Sequence, residues 1–118
     1  MESEITMTTY LSNLRKADIN ISSAGDNTII AAPTTSGNYL AIDFIQYLPT
    51  TSVTVQYKDG TTPYGGPLPL AAQQAVTTEN AMQNEHGVIT LSANQAFVMN
   101  LGGAVQVGGF IRYREVGN

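Results

Sequence analysis

No cysteine occurs in the 118 residues, which removes disulfides, thiolate metal sites and thiol nucleophiles together and leaves the redox compartment open. Tryptophan is absent too, so any stacking surface has to come from tyrosine or phenylalanine. Charge is scarce: 12% of residues are Asp, Glu, Lys or Arg, against about 25% in an average soluble domain. Only five are basic and the net charge is −4, which excludes the clustered Lys and Arg that phosphate backbones require. No apolar run reaches the roughly 20 residues of a membrane helix. Residues 1–9 lack the basic start and apolar centre of a signal peptide, so a soluble product made in a cytoplasm is expected.

What is present is 42% hydrophobic residues, enough to drive folding without self-repulsion. Thr, Ser, Asn, Gln and Gly must cover most of the surface, a composition that suits sheets and surfaces that pack against neighbours. A chain of this length is one domain by default.

Residues 1–16 read differently from the rest. Tyr10, Leu11 and Leu14 share a helical face, which predicts a short helix or an arm, followed by a sandwich domain over residues 17–118. From there the period is two. Ile19 and Ile21 alternate with polar residues, a turn follows at residues 23–26, and Thr28 to Ala32 resumes, a hairpin signal. Residues 39–48 are apolar on both faces, with Leu40, Ile42 and Phe44 on one side and Tyr39, Ala41, Ile45 and Tyr47 on the other, as in a central or partner-covered strand. Val53, Val55 and Tyr57 alternate up to the turn dipeptide Asp59-Gly60.

Pro63, Gly65, Gly66, Pro67 and Pro69 permit only an edge segment, with Leu68 and Leu70 facing inward. Residues 73–87 lack an apolar stripe and read as a long loop. Val88 to Leu91 and Phe97 to Leu101 suggest a second hairpin, and Gly108-Gly109 a bulge or tight bend before the last strand, Phe110 to Val116. About eight short strands with Gly and Pro turns and no βαβ alternation predict an all-β, antiparallel β-sandwich of jelly-roll type.

Candidate chemistry is thin. His86 is the single histidine, and Glu85-His86-Gly87 reads more readily as an exposed turn than as part of a Ser-His-Asp set. The acids Asp18, Asp26, Asp59, Glu79 and Glu85 are dispersed and fit turns. Asp43 stands out because it interrupts an apolar strand: an edge-facing, solvated carboxylate is the commoner case, and a buried one needs Lys58, Arg112 or Arg114 across the sheet. Asp26-Asn27 and Asp59-Gly60 do not form a calcium loop. No enzyme, cofactor or metal site is therefore expected. Six tyrosines suit interfaces and sugar-binding faces alike.

The strings Gly25-Asp26-Asn27-Thr28-Ile29-Ile30-Ala31-Ala32, Val53-Thr54-Val55-Gln56-Tyr57-Lys58-Asp59-Gly60 and Gly66-Pro67-Leu68-Pro69-Leu70-Ala71 occur in that order. With the stretch Ala96 to Gly109, they give a chain that resembles the small β-sandwich virion proteins of tailed bacteriophages. The resemblance implies a capsid decoration, or cement, protein on the virion surface, bound to the major capsid protein and homo-oligomeric, with trimers favoured. Partner-binding residues would be Tyr10, Leu11 and Leu14 in the arm and Tyr39, Tyr47 and Tyr64 on the domain. The alternative is a carbohydrate-binding or adhesive domain of a tail or fibre, stacking sugars on exposed Tyr39, Tyr47 or Tyr64.

Overall fold

The computed structural model describes residues 14–80 and 86–117. Its strands are β1 (Arg15–Ile21), β2 (Gly25–Ile30), β3 (Tyr39–Pro49), β4 (Val53–Asp59), β5 (Thr62–Leu70), β6 (Val76–Glu79), β7 (Ile89–Thr90), β8 (Phe97–Leu101) and β9 (Val107–Val116). They form two antiparallel sheets, one in the order β1-β9-β3-β6 with β7 also paired to β3, the other in the order β2-β8-β4-β5. With β6 and β7 sharing one place beside β3, this is the eight-place jelly roll expected from the two-residue rhythm.

Pairing differs from the sequence expectation in two places. Neither β1 and β2 nor β7 and β8 form a hairpin: β1 pairs with β9 and β2 with β8, while β7 pairs with β3 and β8 with β2 and β4. Each short connection arches from one sheet to the other, because both strands carry inward apolar residues that must face across the sandwich. Gly25, at φ 91°, supplies the left-handed backbone that lets the first arch begin β2 directly. Among the described strands only β4 and β5 make a hairpin within one sheet, around Gly60-Thr61.

The core lies between the sheets and includes Ile19, Leu40, Ile42, Ile45, Tyr47, Val55, Phe97, Met99, Leu101, Val107 and Ile111, each no more than 2% exposed. β3 is central, as its two apolar faces predict. Its alternation breaks at Asp43, however: Ile42 lies opposite Tyr113 and Phe44 opposite Arg112, so one residue of β3 has no counterpart on β9. This bulge reverses the side-chain parity. Leu40 and Ile42 point inward before it, Ile45 and Tyr47 after it, and Phe44 moves to the outer face instead of joining Leu40 and Ile42.

Three further expectations are corrected. The stretch read as a long loop contains β6, whose residues Val76 to Glu79 pair with β3; it lacks an apolar stripe because Thr77, Thr78 and Glu79 are all exposed, Thr78 even opposite the inward Ile45. Leu70 is buried as expected, but Leu68 is 37% exposed, since β5 is an edge strand. Gly108-Gly109 is neither a bulge nor a bend. Both residues sit in the regular ladder between β1 and β3, and a Cβ on Gly109 would lie 1.9 Å from the Gln46 carbonyl oxygen. Glycine is needed there for close approach of two backbones.

Candidate functional site: buried ion pair, outer face and sheet edges

The bulge at Asp43 builds the one buried charge cluster among the described residues. Asp43 and Arg114 are 5% and 3% exposed. Arg114 Nε donates to Asp43 Oδ2 at 2.9 Å, Asn80 Nδ2 donates to Oδ1 at 2.9 Å, and the Asn80 amide donates to the Asp43 carbonyl at 2.8 Å. Of the three cations named as candidate partners, Arg114 takes the role. Lys58 instead bonds Asp26 at 2.9 Å on the other sheet, and hydrogen bonds from Asn100 and Lys58 hold the Asp26 carboxyl below its ordinary range. The arrangement at Asp43 satisfies both carboxylate oxygens and ties the segment after β6 to the centre of β3. Its physical role is to hold the bulge in place.

The remaining chemical candidates do not converge. His86 sits in an exposed turn with its Nδ1 3.4 Å from the Tyr39 hydroxyl, and its carbonyl accepts a hydrogen bond from Thr90 Oγ1. Among the described residues no group of three or more His, Asp or Glu is placed to hold a metal ion. Asp59 does more than make a turn: its carboxylate accepts from the amide and hydroxyl of Ser92 at 2.7–3.1 Å. A shallow depression of about 280 Å³ lies on β4 and β5, lined by Ser52, Val53, Thr54, Pro69 and Leu70, none of them charged.

The residues proposed for partner binding are scattered. Tyr10 and Leu11 lie outside the described residues. Leu14 is half-buried just before β1, Tyr39 half-buried at the start of β3, and Tyr64 half-buried on β5 with its hydroxyl accepting from the Thr90 amide at 3.4 Å. Tyr47 is corrected outright. At 1% exposure it belongs to the core and offers no stacking face. Its hydroxyl meets that of Tyr57 at 2.9 Å, the rings are edge-on at 6.4 Å, and Tyr57 in turn packs on Phe97. Burial, and then the bond to Tyr57, push the Tyr47 phenol well above its ordinary value; burial raises Tyr57 as well.

What the parity change takes from the surface at Tyr47 it returns at Phe44. On the outer face of the first sheet Phe44 stacks on Phe110 with centroids 5.3 Å apart and planes 26° off parallel. Beyond the exposed Gln46 on the same face, Leu48, 41% exposed, lies opposite Gly108, which has no side chain to cover it. This apolar set went unread in the sequence because it depends on one bulge residue.

The sheet edges are treated unequally. β5 carries Pro63, Pro67 and Pro69, which lack amide donors, and three of its residues, Gly65 to Pro67, stand opposite the single Gln56. Such an edge resists a further strand. On β2, Ile29 is an extra residue in the ladder, and the Asn27 side chain donates to the Ser23 and Gly25 carbonyls. Beside β3, the two short strands β6 and β7 break the edge into pieces. β1 differs: all seven residues pair with β9 in unbroken register, and no described strand lies on its other side.

No protein-family model matches the chain, and no curated protein matches it. A solved structure does. A chain from Bacillus endospore appendages, described as a novel family of disulfide-linked pili, is 14% identical, with a TM-score of 0.51 over 88% of this chain and 86% of that one. At that identity the likeness concerns the fold: the two chains share the sandwich over most of their lengths.

Proposed function

We propose that this chain is a structural assembly protein: a jelly-roll subunit that works by covering and being covered by other protein surfaces. In its specific form the proposal is a decoration, or cement, protein on the capsid of a tailed bacteriophage, bound to the major capsid protein and made in the host cytoplasm. The observation that carries it is the outer face of the first sheet, where the stacked Phe44 and Phe110 and, beyond Gln46, Leu48 lie on a charge-poor domain. Apolar strips bounded by polar residues are the usual contact material of protein interfaces. The scattered tyrosines give less support to a sugar-binding site, since Tyr47 is buried and Tyr39 and Tyr64 lie on different sheets.

A second reading, a self-assembling filament subunit, is favoured by the fold shared with the pilus chain. Having no cysteine, this chain would hold such a filament together without disulfides. The test mixes the purified chain with capsid shells that lack it and sediments them. Retention at a fixed ratio to the shell protein, weakened by Phe110→Ser and Leu48→Ser, supports the cement reading. A chain that stays in the supernatant overturns it, and fibres formed by the chain alone support the filament reading in its place.

A further inference from the structure

We infer that β1 is a self-pairing edge, through which two copies of this chain join their first sheets about a two-fold axis at Ala17. This goes beyond the shell reading and does not depend on it: a chain that never meets a shell still pairs.

Selectivity comes first from the other edges. Prolines and the Gly65 to Pro67 insertion close β5, Asn27 and the extra Ile29 spoil β2, and β6 and β7 are short and separate. β1 alone among the described strands offers seven regularly spaced residues with one side of their backbone unpaired. An exposed edge of that kind invites strand addition.

The identity of the added strand follows from charge. Along β1 Ile19 points inward, and Lys16 and Asp18 share the outer face, where they form an ion pair at 2.9 Å. Directly opposite Lys16 on β9 stands Arg112, a like charge, and no ion pair of Arg112 is found among the described residues. Like charges facing each other across strands are destabilising. Lys16 therefore lacks an acid across the ladder, and the open side of β1 is where one fits.

A second β1 supplies it in one register only. Two antiparallel copies keep inward residues on the inward side when residues of the same parity face each other. With Ala17 on the axis, Lys16 of each copy faces Asp18 of the other, which gives two cross-strand ion pairs and four charges of alternating sign. Shifted by one step to place Asp18 on the axis, the strands set Asp18 against Asp18 and Lys16 against Asn20. The first register gains attraction and the second gains repulsion. A two-fold contact of this kind is self-complementary and closed, so it stops at a dimer.

Sedimentation of the full chain over a range of concentrations should give a species of twice the 12.6 kDa chain mass; a monomer at every concentration, or a trimer, overturns the inference. Asp18→Lys should raise the dimer dissociation constant roughly tenfold or more, as two attractive pairs turn repulsive. Exchanging the charges, with Lys16→Asp and Asp18→Lys together, should restore it, because the same pairs re-form with signs reversed; an unrestored double variant rules the register out. Ala17→Cys, the chain's only thiol, should oxidise to a disulfide-linked dimer, while Asp18→Cys should not. Cross-linking at Asp18 in place of Ala17 overturns the pairing.

Discussion

Removing the carboxylate of Asp43 tests how the bulge on β3 is held. Asp43→Ala deprives Arg114, 3% exposed, of the acid 2.9 Å from its Nε, and deprives the Asn80 side chain of an acceptor. Breaking a buried ion pair by deleting one partner costs about 3–5 kcal/mol. Arg114 and Asn80 both keep other contacts, so the low end, about 3 kcal/mol, is expected. A domain of this size has roughly 5–15 kcal/mol in total. With a urea dependence of about 1–3 kcal/mol per molar, the unfolding midpoint should fall by roughly 1–3 M. Adding Arg114→Met removes a buried cation that has lost its Asp43 partner and should recover part of the loss. If Asp43→Ala costs less than about 1 kcal/mol, or if the double variant is no more stable than the single one, the pair does not anchor the bulge.

Two further expectations concern packing. The Tyr47 and Tyr57 phenols are both raised in the folded state, so the fold retains protons that the unfolded chain gives up above about pH 10. Stability should therefore be flat through neutral pH and fall as pH rises past that value; phenolate absorbance that titrates fully in the folded protein near pH 10 would contradict this. Gly109→Ala should cost more than about 3 kcal/mol, because its Cβ would meet the Gln46 carbonyl and the Tyr47 backbone at 1.9 and 2.6 Å, and backbone of a central pair cannot step aside cheaply. Gly66→Ala, with nothing within 4 Å, is the control and should unfold at the same urea concentration as the natural chain.

Fold class was legible in the sequence because it rests on rhythm. The alternation through Ile19, Val53 to Tyr57, and Phe97 to Leu101 survives in the structure, and Gly25, Pro49 and Gly60 stand at strand ends or turns. Strand partners were less legible: Ile19 stands opposite Gly109, 90 positions away, and nothing local separates an arch from a hairpin at Ser22 to Ala24. The faces of β3 were misread after Asp43 for a sharper reason. A single unpaired residue exchanges inside and outside, so Tyr47 passed from candidate platform to core and Phe44 from core to surface. That Asp43 interrupts an apolar strand is legible, with Arg114 among the cations a buried carboxylate there could take; its burial is not, since an edge-facing, solvated Asp shows the same local pattern. The weak alternation of Val76 to Glu79 hid an edge strand whose Thr77, Thr78 and Glu79 are all exposed, and the hydrogen bonds from Ser92 to Asp59 depend on a loop far along the chain.

The outer face of the first sheet is proposed as a contact surface in a larger assembly. Density from electron cryo-microscopy of capsids carrying this chain tests it most directly. The expected density is a jelly roll lying on the shell with Phe44, Leu48 and Phe110 turned toward a neighbouring protein. A jelly roll with those residues facing solvent, or particles on which the chain is never found, would contradict it.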